Sequence, residues 1–459
     1  MGMKQFEMAS ELPVSAEEAF AWHARTGALA RLTPPWEAVR LLAEHGDLAD
    51  GQVTLKVRFG PFGRRWVAQH RDAIQGRQFV DEQVEGPFRR WVHTHLFEAQ
   101  GATHCRYVDR IQYQLPLGVA GELGAPWVRR RLERTFRYRH ATVEADLAAH
   151  HRHRGQGPLK ILVTGASGLI GQALIPFLTT GGHRVSRLVR RQAGPDDILW
   201  DPGARRLDGS LLEGIDAVVH LAGEPIAAGR WTPERRRRIL ESRTQGTTLL
   251  AETLAGLRRR PRVLVSASAV GIYGDRGSEV LTEATRLNDG PDARFVEQVG
   301  LAWEAATAPA EQAGIRVVRI RIGLVLSPAG GALARMLPPF RLGLGGRLGS
   351  GQQFMSWLGI DDLIGVIHHC LMIESLRGPL NATAPQPVTN AEFTRVLGEV
   401  LRRPAVFPVP AAALRLGFGE MAGDLLLAST RVLPEALRDS GYPFRHPGLR
   451  QALRHVLGR

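Results

Sequence analysis

The sequence predicts an α/β protein built in two parts. The first is an α+β region in which one long helix lies against an antiparallel sheet. The second is a doubly wound parallel sheet that ends in a small lobe. Three observations support this. Between residues 51 and 115, segments with an apolar/polar period of two follow one another, separated by turns such as "FGPFG". A helical run from Ala120 to Ala149 comes next. From Lys160 onward, short apolar strands alternate with stretches long enough for a crossover helix.

In the first part, "KQFEMASEL" reads as a strand and "SAEEAFAWHARTGALARL" as helix, with Ser15 as N-cap and Glu18 as its capping-box partner. The alternating segments are "GQVTLKVRF", "RRWVAQHRDAI", "QFVDEQVEG", "FRRWVHTHLFEAQ" and "THCRYVDRIQYQL". The long helix that closes the region is expected to be interrupted near Pro126. This order, with the phrases "VDEQVEGPFRRWVHTHLF" and "VDRIQYQLPLG", resembles the polyketide cyclase/dehydrase branch of the helix-grip (START-like) superfamily. The resemblance implies an apolar cavity between sheet and helix that takes a small, hydrophobic, lipid-like or polyketide-like ligand. Trp66, Phe79, Phe88, Trp91, Phe97 and Tyr113 are candidates to line it, and each also reads as ordinary core. His70, His93 and His95 raise the question of a metal, but His93 and His95 flank Thr94 and no acid stands at ligand spacing beside them. No metal site is assigned.

"HHRHRGQGP" (His150 to Pro158) is polar and unpatterned and reads as a linker. It sets the expected boundaries: a ligand-binding domain over 1–154, the end of the linker at 155–159, a nucleotide-binding domain over 160–376, and a substrate-side lobe over 377–459.

The segment "KILVTGASGLIGQALIPFL" opens the second part. Ile161, Leu162 and Val163 form a buried strand, Gly165, Gly168 and Gly171 follow at three-residue spacing, and a helix continues from Gln172. A turn this tight favours residues without a Cβ, and the helix beginning on it turns free N–H groups and a positive dipole end toward a pyrophosphate. Gly165, Ser167, Gly168, Leu169, Ile170 and Gly171 are therefore the expected phosphate contacts. The Gly-x-x-Gly-x-x-Gly spacing resembles the extended, epimerase-like members of the short-chain dehydrogenase/reductase superfamily, and so implies a Rossmann sheet.

The second strand of such a sheet separates NAD from NADP. A carboxylate there binds the ribose 2′-hydroxyl of NAD. No Asp or Glu occurs between Gly171 and Asp196, while Arg187, Arg190 and Arg191 lie in that window. A guanidinium grips a 2′-phosphate that a carboxylate would repel. NADP(H) is the expected cofactor, with Arg190 and then Arg191 as its contacts. At the end of the third strand, Leu221, Ala222 and Gly223 allow the backbone to approach the dinucleotide.

Extended short-chain enzymes use a Ser or Thr after the fourth strand and a Tyr-x-x-x-Lys on the next helix. Here "VLVSASAVGIYG" places Ser268 and Tyr273 in that neighbourhood, but the helix "RFVEQVGLAWEAA" carries Phe295 and Val299 where the dyad belongs. Lys160 is the last lysine of the chain, so the standard dyad is absent. "WDP" (Trp200 to Pro202), "ESRTQGT", "SASAVGIYG", Trp303 with Glu304 and "RIGLVLSPAGGALARMLPPFRLGLGGRLGSGQQFMSWLGIDDL" together resemble an atypical epimerase-like group. Its members end in a short domain of unknown function, matched here from Ala405 to Val456. Ser268 and Tyr273 are the candidate proton relay, with Arg243 or another arginine in place of the lysine. Glu304 is a further candidate acid/base or else a solvated helix carboxylate. Leu342 to Gln353 reads as a lid, a phosphate grip or a plain loop, and Asp361 and Asp362 as helix caps.

The net charge of +14 raises the question of nucleic acid. Yet the basic residues are almost all arginine, are scattered, and cluster on helices ("RRRLER", "ERRRR") as solvated faces, with no recognition motif beside them. Two cysteines, no secretory pattern and no membrane-length apolar run point to a cytoplasmic protein. The expected function is an NADP(H)-dependent oxidoreductase acting on a hydrophobic carbonyl compound. The rivals are an NADP(H)-binding sensor or scaffold without turnover, and a sugar-nucleotide epimerase or dehydratase.

Overall fold

In the computed structural model, which describes residues 2–459 apart from 60, 61, 117, 192, 193, 195 and 228, two sheets organise the chain. It divides into two units: Met1–Gly157 with Pro176–Gly182 and Gly458, and Pro158–Ile175 with His183–Leu457 and Arg459.

In the first unit β1 (Lys4–Leu12) leads into α1 (Ala16–Ala24) and α2 (Ala28–Leu32). The Ser15 hydroxyl caps α1 by accepting the Glu18 N–H at 3.2 Å. Strands β2 (Val39–His45), β3 (Gln52–Phe59), β4 (Phe62–Ile74), β5 (Gln78–Glu85), β6 (Arg90–Ala99) and β7 (Cys105–Gln114) form an antiparallel meander, and β1 pairs with β7. Edge strand β2 is one the sequence pattern does not reveal, because most of its residues are exposed and a bulge at Leu41/Ala43 breaks the alternation. After α3 (Gly118–Glu122), helix α4 (Ala125–His151) lays Leu132, Phe136, Val143 and Leu147 into the core at helical spacing. The helical run is interrupted near Pro126 as expected, at Leu123–Gly124 between α3 and α4, and Pro126 itself sits in the first turn of α4, where a backbone N–H has no intrahelical partner to lose. The helix reaches His151 and a 3-10 turn covers Arg154–Gln156, so the segment read as a linker is largely helical.

The second unit holds β8 (Lys160–Thr164), α5 (Leu169–Thr180), β9 (Arg184–Val189), β10 (Asp197–Asp201), β11 (Arg206–Leu207), β12 (Ala217–His220), α6 (Pro233–Ala255), β13 (Val263–Ala269) and α7 (Phe295–Ala305). Strands Arg316–Ile322 and Gly378–Ala382 complete the sheet. Across the sheet the order is β11-β10-β9-β8-β12-β13, then Arg316–Ile322 and Gly378–Ala382, all parallel except β11. Chain order reverses between β8 and β12, so the loops leaving their carboxyl ends diverge and open a crevice there. Gly378–Ala382 pairs with Arg316–Ile322, so the parallel sheet runs past the boundary expected at residue 376. Leu162, Val218, Leu264 and Val317 form one core layer with Leu249, Leu250 and Leu254 of α6. Among the described residues no helix is long and apolar enough to cross a membrane.

Candidate functional site

The glycine loop lies at the switch point between β8 and β12. Gly165 has φ +68°, and a Cβ on it would stand 2.7 Å from the Leu221 carbonyl carbon, so both conformation and contact require glycine. A Cβ on Gly171 would meet the Gly165 oxygen at 2.5 Å, which locks the start of α5 against the loop. The Gly168 N–H donates to Gly165 O at 2.9 Å, while Ser167 and Gly168 are exposed. Leu169, Ile170 and Leu221 join these glycines around a groove of about 320 Å³. Such a cradle, narrow, without side chains at Gly165, Gly168 and Gly171, and ending on a helix N-terminus, fits a pyrophosphate.

A buried polar relay holds the two loops in place. The Thr164 hydroxyl accepts the N–H groups of Leu221 (3.0 Å) and Ala222 (3.1 Å). Both of its lone pairs are thereby used, so its own proton goes to His220 Nδ1 at 2.8 Å. His220 therefore keeps its proton on Nε2 and donates it to the Thr247 hydroxyl at 2.9 Å. Burial pushes His220 down to about 4, which keeps the ring neutral.

At the end of β9, Arg187 is committed elsewhere: its guanidinium grips Asp197 through Nε (2.6 Å) and Nη2 (2.7 Å). Arg190 and Arg191 are both exposed. The pair expected to face a 2′-phosphate is thus free of the sheet, and no carboxylate in that strand end competes with it. Gly223 is exposed beside Arg243.

The hydroxyls expected to relay protons belong to one buried network. Ser268, Arg321 and Asn381 are in register across three neighbouring strands at their carboxyl ends. Ser268 Oγ donates to Glu304 Oε1 at 2.8 Å, and Glu304 binds Arg321 through both oxygens (2.8 and 2.9 Å). Arg321 Nη1 donates to the Tyr273 hydroxyl at 2.9 Å. That hydroxyl also lies 2.8 Å from Asn381 Oδ1 and 2.9 Å from the Thr282 carbonyl. Tyr273 is fully buried, Ser268 nearly so, and burial raises the phenol above its ordinary pKa. Ser268 and Tyr273 are therefore joined through Glu304 and Arg321, not directly. The cation at the phenol is Arg321, since Arg243 instead sits over the Trp303 ring at 4.8 Å with Nη1 on the Ile239 carbonyl. Glu304 is a mostly buried carboxylate paired with Arg321 and Ser268, not a solvated helix carboxylate.

Two other expectations are corrected. Leu342–Gln353 is stitched by backbone hydrogen bonds, Phe407 N to Gly345 O and Val409 N to Arg347 O, and is not a free lid. Asp362 does not cap its helix, whose N-cap is Gly359. Its buried carboxylate accepts the N–H groups of Arg445 (2.7 Å) and His446 (3.1 Å), and burial raises it to about 6.

Over 300 residues the chain is 41% identical to an epimerase family protein of Mycobacterium bovis, matching 65% of this chain and 98% of that one. The chain belongs to the epimerase family. The model of the NAD dependent epimerase/dehydratase family matches residues 161–378, that of polyketide cyclase / dehydrase and lipid transport matches 12–137, and a domain of unknown function matches 409–456. A nucleoside-diphosphate sugar epimerase from Corynebacterium glutamicum has a crystal structure with TM-score 0.79 at 34% identity, covering 99% of this chain and 90% of that one. The crystal structure of human epimerase family protein SDR39U1 with NADPH has TM-score 0.60 at 35% identity, covering 65% of this chain and 99% of that one.

This epimerase family chain also encloses a cavity of about 540 Å³ in its first unit. Trp66, Phe79, Phe88 and Trp91 line it as expected, whereas Phe97 and Tyr113 pack in the core. The acid missing from the sequence pattern is present: Asp81 stands opposite His93 across β5 and β6, and Asp109 opposite His95 across β6 and β7. His70 Nδ1 lies 2.5 Å from Asp81 Oδ1. Burial and the neighbouring His95 push His93 down to about 4. Burial opposes charge on His95 as well, but Asp109 and Asp81 outweigh it and raise that ring to about 9.

Proposed function

We propose that the second unit binds NADP(H) and acts as an oxidoreductase on a hydrophobic carbonyl compound, with the first unit binding a small apolar ligand. The observation that carries this is the exposed pair Arg190 and Arg191, beyond a glycine cradle and with no acid at the strand end. When bound, the cofactor donates or accepts a hydride at the nicotinamide ring. The loop N–H groups and the start of α5 hold the pyrophosphate, and the Thr164–His220 relay keeps the Leu221–Ala222 backbone close. The row Ser268–Arg321–Asn381 lies at the carboxyl ends of the strands, where open α/β sheets bind ligands. Hydrogen bonds tie it to Glu304 and Tyr273 in one buried network.

The burial of Tyr273 also favours a second reading, an NADP(H)-binding protein without turnover. Oxidation of NADPH by the full chain, followed across a panel of apolar aldehydes, ketones and enones, separates the two. Turnover on activated carbonyls supports the oxidoreductase. Absence of hydride transfer across the panel, with NADPH altering ligand affinity in the first unit, supports the second reading.

A further inference from the structure

We propose that Asp81, His93 and His95 form a site for one divalent transition-metal ion of the Zn(II)/Fe(II) class on the cavity wall of the first unit. Strand register brings them together: His93 and His95, two apart on β6, share a face, and Asp81 of β5 pairs with His93. Each imidazole is held by one nitrogen and presents the other. His93 Nε2 and His95 Nδ1 lie 2.9 and 2.8 Å from Asp109 Oδ1. Their opposite nitrogens face one oxygen of Asp81, with His95 Nε2 at 3.3 Å and His93 Nδ1 at 3.9 Å from Oδ2. One ligand atom from each of the three residues lies within 4.8 Å of the other two. A metal bound at ~2.0–2.2 Å in near-tetrahedral geometry spaces its ligands about 3.3 Å apart, so small side-chain rotations suffice.

The surroundings are those of a metal centre. Asp109, fully buried, fixes both rings as an outer-shell carboxylate, and its other oxygen takes the Tyr107 hydroxyl (2.8 Å) and His140 Nε2 (3.1 Å). The second oxygen of Asp81 is held by His70. Two imidazoles and one carboxylate supply three protein ligands, and all three residues line the cavity, which leaves coordination positions open toward it. The occupant that suits such a cavity is an apolar molecule with an oxygen-donor head that reaches the ion. The site belongs to the first unit and does not depend on the cofactor proposal.

The test uses the full chain, dialysed against a chelator and titrated with Co(II) by visible absorption and with Zn(II) by calorimetry. One ion per chain is expected, with ligand-field bands of a low-coordinate Co(II) site and a metal-dependent rise in Tm. Asp81→Asn should weaken binding at least 100-fold, and Asp109→Asn by ~10–100-fold, the usual outer-shell effect. His93→Gln provides a second ligand variant should Asp81→Asn fail to fold. Absence of saturable one-to-one binding in the unmodified chain overturns the proposal. So does equal binding by the folded ligand variants, which would place the ion elsewhere on the chain.

Discussion

Nδ1 of His220 stands 2.8 Å from the Thr164 hydroxyl, and that contact orients the hydroxyl that holds the loop after β12. The relay works only with a neutral ring, because a protonated Nδ1 would compete for a hydroxyl whose lone pairs are already taken. The folded pKa is about 4 and the ordinary value 6.5, so between these the unfolded chain binds the extra proton. Stability is full above pH 6.5 and falls as the pH drops toward 4. The loss attributable to this residue approaches ~3 kcal/mol for a shift of this size. Urea unfolding of wild type and His220→Gln across this window measures it, and parallel pH dependences would remove His220 from the acid response.

Cofactor choice should follow the arginines. NADPH is expected to bind more tightly than NADH by ~1.5–3 kcal/mol, the range for charge-assisted hydrogen bonds. Arg190→Ala should remove most of that difference and leave NADH nearly unaffected. Calorimetric titration with both cofactors decides, and equal affinities in the unmodified chain would sink the assignment.

Gly171→Ala places a methyl 2.5 Å from the Gly165 oxygen and 2.7 Å from the Ala166 Cα. Backbone cannot give way there without opening the loop. NADPH affinity should fall at least ~10-fold, equivalent to about 1.4 kcal/mol. Unchanged affinity would show that the loop does not carry the phosphates.

Tyr273→Phe separates scaffold from acid catalysis. Removing a hydroxyl that serves Arg321 and Asn381 in a buried network should destabilise the chain by ~1–3 kcal/mol, since the partners are left unsatisfied. NADPH affinity and any turnover should stay within about twofold. A loss of ~10²-fold or more in turnover with stability unchanged would instead make the phenol a proton donor.

The local pattern alone determined the period-two strands from Gln52 to Gln114, the glycine spacing at Gly165, Gly168 and Gly171, and the arginines without an acid at the end of β9. Backbone period and the lack of a Cβ are written residue by residue, so they can be read without knowing what lies opposite. Tertiary structure alone decided the partners. Asp81 meets His93, Asp109 meets His95, and Ser268 lines up with Arg321 and Asn381 because strand register sets them side by side. Edge strand β2 likewise depends on a neighbour to pair with. Register arises from how whole strands bury their faces, and no spacing along the chain encodes it. For that reason the glycine cradle was visible in the sequence, whereas the arginine beside Tyr273 and the carboxylates beside the histidines were not.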